Sequence, residues 1–278
     1  MNALPPRLHT AQAMKAMSSL LEDPIAIVRY PIFFLPASFV VLSLATWIGA
    51  SHLQGLRAQI AEIREDYRVV EGATLTLLAL IIGFTFSMAL DRYDQRKNLE
   101  SDEANAFGTE YLRADLLPDA DGARARELMV KYLDQRILHY RTRDEQSLAQ
   151  INFETSRLQS ALWAVVVKPA EAQPTPIMAL AVDGMNDLLN TQGYTQAAWV
   201  NRIPLAAWAL MASIAMCSAL LVGLGSGGTR SPSHAHFILP LVISIAFFLI
   251  ADIDSPRRGM IQVQPQNLMS LADSLKIP

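Results

Sequence analysis

Few side chains in this sequence are spaced for chemistry. His234 and His236 alternate as HxH, a spacing that can turn two imidazoles toward one metal ion, but no Cys or carboxylate stands near enough to complete a tetrahedral set. A structural or interfacial role is therefore expected for them, and no metal site. The stretch GLGSGGTR at 223–230 has the glycine content of a phosphate-cradling loop, yet it lacks the Lys-Ser/Thr ending and follows an apolar run rather than a strand. A flexible turn is the expectation there. Cys217 is the single cysteine, which excludes an internal disulfide, and in its apolar run a thiol behaves as a small hydrophobe. With no nucleophile elbow and no spaced ligand cluster, no enzyme, no catalytic residue and no cofactor are expected.

What remains is an apolar stripe and a charged block on one segment. Residues 72–90, GATLTLLALIIGFTFSMAL, carry no formal charge, and as a helix they are long enough to cross a hydrocarbon layer of about 30 Å. Within them Thr76, Leu80, Phe84 and Met88 recur every four residues as a slowly drifting stripe, while Gly72, Ala79, Gly83 and Ser87 place small residues on an adjacent face. Taken alone, such a stripe faces lipid or neighbouring helices. From Asp91 the composition turns charged, with no Pro or Gly before Gly108, so the same rod is expected to continue out of the bilayer. Asp91, Arg92, Arg96 and Lys97 stand at its exit, where basic residues anchor helices to anionic headgroups. Further on, Glu103 and Glu110 are one heptad apart and Glu110 can pair with Arg113, the pattern of a bundle surface.

The rest of the chain has to position that rod. Of 278 residues 51% are hydrophobic and 18% charged, with a mean hydropathy of +0.23, more apolar surface than a water-soluble domain of this length usually hides. The net charge of -3 leaves no basic footprint for nucleic acid. Residues 1–30 read as an amphipathic lead-in without a cleavage pattern, ahead of an uncleaved first span at about 31–50 with Pro36 in its early turns and Trp47 near its far end. Residues 51–71 form a charged connection, expected to be helical and outside the hydrocarbon.

Beyond the second span, residues 91–202 read as helical. Leu128, Tyr132 or Leu133, Arg136 and Tyr140 recur at helical spacing, a second helix is expected to start at an Asn152 cap and stop at Pro169, and a third follows Pro174 and Pro176. Two more apolar runs, 204–224 and about 237–251, close the membrane part, the second expected to start near His234 or to run on into Ile253. A tail at 253–278 ends the chain. Lys15, Arg29, Arg92, Arg96, Lys97, Arg202, Arg257 and Arg258 on one side, against Arg57, Arg64, Arg68 and Arg230 on the other, place both termini and the insert in the cytoplasm. Residues 51–71 and 225–236 then face outward.

The sequence also resembles a known family. GF at 83–84, Ser87 and DRYDQRK at 91–97 are similar to the second-helix pattern of bestrophins, and the longer block GFTFSMALDRYDQRKNLESDEANAFGTEYLRADLLP, with NRIPLAAW and DIDSPRRGMIQVQ, is similar to the bacterial bestrophin-like family over nearly the whole chain from about Pro31. The resemblance implies a pentameric ion channel whose second helix lines the pore, with Phe84 at the innermost neck position, Leu80 before it, and Thr76 where the family usually has a larger aliphatic residue. It also implies two motifs, Asp91, Arg92, Tyr93, Arg96 and Lys97 after span two, and Asp252, Asp254, Pro256, Arg257, Arg258 and Gly259 after span four. Animal bestrophins carry a longer acidic run at the latter place that binds calcium; this tail lacks it, so calcium gating is not expected.

The expected fold is all-α, a four-span helical membrane protein with a cytoplasmic helical bundle, bestrophin-like. Because no ionisable residue interrupts the spans, an ion-coupled carrier has nothing to work with, and transport would need a pore narrowed by apolar side chains. One four-span chain cannot enclose such a pore, so a homo-oligomer in the lipid bilayer of the bacterial inner membrane is implied, passing inorganic ions. The competing expectation is a non-conducting scaffold or sensor that signals through its cytoplasmic helices.

Overall fold

The computed structural model describes residues 31–52, 64–226 and 235–275. The N-terminal lead-in, part of the 51–71 connection, His234 and residues 227–230 of the glycine-rich turn lie outside the described residues. Those described form the helices α1 (Pro31–Ser51), α2 (Arg64–Arg113), α3 (Asp119–Arg141), α4 (Glu145–Ala172), α5 (Pro176–Val200), α6 (Leu205–Gly225), α7 (Ala235–Asp254) and α8 (Gln266–Ser274), with a short 3-10 turn at Ala114–Leu116 and no strand among them. The all-α expectation stands, and four of these segments are long and apolar enough to cross a membrane. α2 runs through Gly108 for 50 residues, because a lone glycine inside a helix weakens it by only about 1 kcal/mol. α7 extends at both ends relative to the apolar run, reaching Ala235 and Asp254.

The chain divides into two compact units, Met1–Asp91 with Arg202–Ile261, and Arg92–Asn201 with Gln262–Pro278. In the first, α1 packs against both α6 and α7. Phe34, Trp208 and Phe247, one from each helix, form an aromatic triangle with centroid separations of 5.3 to 6.3 Å, two of the three contacts being edge-to-face. Farther along, α1 and α6 meet backbone to backbone: a Cβ on Gly49 would collide with the Leu220 carbonyl, and one on Gly223 with the Thr46 carbonyl. Lipid gives helices no hydrophobic reason to associate, so close approach at small residues supplies the attraction through dispersion.

The second unit is a helical bundle around Phe107, Met129, Tyr132, Leu162, Met185 and Leu188, all buried. α4 starts earlier than expected. Asp144 is its cap, accepting from the Ser147 amide at 2.8 Å, and Asn152 lies a full two turns inside. It also ends later, since Pro169 costs one backbone bond but sits in the final turn, and the Gln173 amide still donates to its carbonyl at 2.9 Å. Thr175 caps α5 through the Met178 amide, with Pro176 pre-set for the first turn.

Gly223→Leu should force the α1 and α6 backbones apart, lowering stability by about 1 to 3 kcal/mol as overpacking does; thermal unfolding in detergent, compared with Gly193→Leu where a side chain meets open space, should show loss only in the former.

Candidate functional site

The side chains of α2 sort by face. Leu78, Thr85 and Ala89 are buried, and at about 100° per residue they share one side of the helix. Thr76, Leu80, Gly83, Phe84 and Ser87 are exposed on the opposite side, Leu80 by 51% and Phe84 by 64%. Around Gly72 and Gly83 nothing approaches within 4 Å of where a Cβ would stand. The hydroxyl of Thr76 donates to the Gly72 carbonyl at 2.8 Å, and those of Thr74 and Thr85 bond back to Val70 and Ile81 in the same way. A threonine so tied satisfies its own polar group and presents its methyl. Thr76, Leu80 and Phe84 of the stripe named from sequence therefore form an exposed, apolar and closely approachable surface among the described residues.

The block at the end of the apolar run divides by exposure. Asp91 and Lys97 are exposed, Arg92 and Tyr93 half-buried, whereas Arg96 is only 1% exposed and its Nε donates to the Ala198 carbonyl at 3.3 Å. Arg96 is a core group of the second unit and not a headgroup anchor.

The acidic residues in the last turn of α7 bond backbone amides. Both Asp254 oxygens accept from the Ile203 amide at 3.2 Å, just ahead of α6, a carboxylate placed at the positive end of a helix. Asp252 accepts from the Met260 and Ile261 amides at 2.7 and 2.8 Å. Gly259 is required because a Cβ there would strike the Asp252 carbonyl. Pro256 is buried and Arg257 and Arg258 half-buried. Among the described residues no group of His, Cys, Asp or Glu is arranged to hold a metal ion.

Sequence reasoning missed the buried charges of α2. Glu103, assigned to a bundle surface, is fully buried and forms a two-point ion pair with Arg136 of α3, through Nε to Oε1 and through Nη2 to Oε2 at 3.2 Å. Tyr140 and Thr195 donate to the same Oε2 at 3.3 and 3.4 Å. Burial alone would pull Arg136 down, but Glu103 holds it well above the usual arginine range, while burial and the Glu103 charge push the Tyr140 hydroxyl up. Burial also lifts Tyr132 to about 12. Glu100 is buried too, and its carboxylate accepts from the Asn267 amide at 2.9 Å, the Asn267 side chain at 2.6 Å and the Leu268 amide at 3.0 Å, so a residue of α2 caps α8. The signal was present: Arg136 occupies an inward position of the α3 pattern, and an arginine there demands a buried acid.

Glu103→Ala should leave Arg136 charged and unpaired, destabilising the fold by about 3 to 5 kcal/mol, read as a fall in melting temperature that the double variant Glu103→Leu/Arg136→Met largely reverses. Glu100→Ala should release α8 alone, costing about 1 kcal/mol and appearing as faster amide exchange confined to Gln266–Ser274.

Compared with known proteins, the family model described as Bestrophin-like domain matches residues 37–268. No curated protein sequence matches the chain. Among solved structures it is similar to two crystal structures of variants of a bacterial bestrophin homologue from Klebsiella pneumoniae. One is 14% identical with a TM-score of 0.60, covering 86% of this chain and 97% of that one. The other is 16% identical with a TM-score of 0.56, covering 85% and 98%. At such identity the likeness concerns the fold.

Proposed function

Because the chain belongs to the Bestrophin-like domain family, we propose that it is a passive ion channel: a homo-oligomer, a pentamer by family resemblance, whose pore is lined by α2. The observation that carries this reading is the outward face of α2, where Leu80 and Phe84 are exposed opposite the buried Leu78, Thr85 and Ala89. Symmetry-related copies would turn that face toward one axis and stack Thr76, Leu80 and Phe84 as apolar rings around it. Ions would lose part of their hydration at this neck and move down their gradient, with gating by width and wetting. The back-bonded Thr76 hydroxyl supports an apolar ring at the position where the family usually has a larger aliphatic residue. Gly72 and Gly83 leave room for a neighbouring α2.

In this reading the protein sits in the bacterial inner membrane, with residues 1–30, 91–202 and 253–278 on the cytoplasmic side, the spans within 31–90 and 203–252, and 51–71 facing outward. Asp91, Arg92, Tyr93 and Lys97 then form the cytoplasmic exit of the pore helix, and Asp252, Asp254 and Gly259 hold the turn that follows the last span.

The test is conductance in planar bilayers for purified protein, after sizing in detergent. A ring-sized oligomer that conducts, and in which Phe84→Ala raises conductance or the open fraction severalfold, is the expected result. A folded monomer or dimer that stays silent in both forms, across salts and voltages, would leave a non-conducting scaffold as the reading.

A further inference from the structure

Glu110 is the one buried carboxylate of α2 with an oxygen left over. It is 1% exposed, and its Oε2 has no hydrogen-bond partner. The carboxyl lies directly on the backbone of α5, for a Cβ at Gly184 would collide with Oε2 and with Arg113 Nη1. Arg113 bonds the Leu180 carbonyl at 3.2 Å. Asp183 and Asp187, both exposed, flank Gly184 on the same helix. From α3, Arg126 is held by Asp115 and lies 5.7 Å from the Tyr111 ring centroid.

We propose that the α2–α5 contact at Gly184 is a proton-controlled latch, closed while the Glu110 carboxyl is neutral and loosened when it ionises. A neutral carboxyl can lie unsolvated against backbone atoms, but a carboxylate there has an oxygen without a donor and faces two further carboxylates on α5. Burial raises Glu110 most, Arg113 opposes it, and Asp183 and Asp187 add to it, bringing the group to about 8. The closed contact therefore binds the proton more tightly than the open one does. Its stabilisation is complete below the ordinary carboxylate range and is lost as pH rises through about 8. In the sequence Glu110 lies outside the apolar run 72–90. The latch stands whether or not the chain conducts.

Amide exchange of the full-length protein in detergent, corrected for the intrinsic pH dependence of exchange, tests this. Between about pH 6.5 and 9 the opening of the N-terminal half of Pro176–Val200 should rise about thirtyfold, levelling off above about pH 8. In Glu110→Gln, neutral at every pH, that rise should fall below about twofold. In Asp187→Asn, which removes one repelling charge, the midpoint should move to lower pH. A flat wild-type profile, the same rise in Glu110→Gln, or an unmoved midpoint in Asp187→Asn would each overturn the latch. The last decides alone if Glu110→Gln fails to fold.

Discussion

A buried charge must find a counter-charge, a set of donors or a proton, and the second unit is arranged around that constraint. Arg96, Glu100, Glu103 and Glu110 are all buried on α2, spaced so that they continue one face of the helix. Each meets the constraint differently. Arg96 takes a carbonyl of α5, Glu100 takes the free amides at the start of α8, and Glu103 takes Arg136 with Tyr140 and Thr195 around it. Glu110 keeps its proton near neutral pH. Helices α3, α5 and α8 are thus each keyed to α2 by a polar group as well as by Phe107, Met129 and Leu188 in the apolar core. A hydrophobic contact tolerates sliding by a turn; a two-point ion pair does not, so the charges fix register more than they add stability.

The first unit meets the opposite demand, having charges to satisfy only at the end of α7 among its described spans and little hydrophobic drive in lipid. Its order comes from shape. The aromatic triangle of Phe34, Trp208 and Phe247 fills one level, and backbone contact at Gly49 and Gly223 fixes another. Polar groups enter at the Tyr67 hydroxyl, which donates to the Leu221 carbonyl, and at the Ile203, Met260 and Ile261 amides, where aspartates replace the water those donors would otherwise need.

Much of this was legible in the sequence because the signals were physical. Uncharged runs of span length gave the membrane helices, and the absence of breakers after Asp91 gave the long rod. Cap positions were less readable: Asn152 and Asp144 are both plausible caps, and Ser147, which completes the Asp144 cap, decides between them. The buried acids were misread as surface because Glu at heptad spacing is nearly always solvated. Only Arg136 among apolar neighbours hinted otherwise, and pairing it with Glu103 needs the fold. The backbone contact of Gly49 with α6 could not be read from spacing, since it joins residues far apart in sequence.

That same separation has a consequence for how the protein is made. Gly49 leaves the ribosome long before Gly223, so α1 enters the bilayer without the helix whose backbone it will touch. Until α6 is synthesised, the small-residue face of α1 is open to any passing helix with a similar notch. Close packing at two glycines is demanding enough that few helices can occupy the place for long.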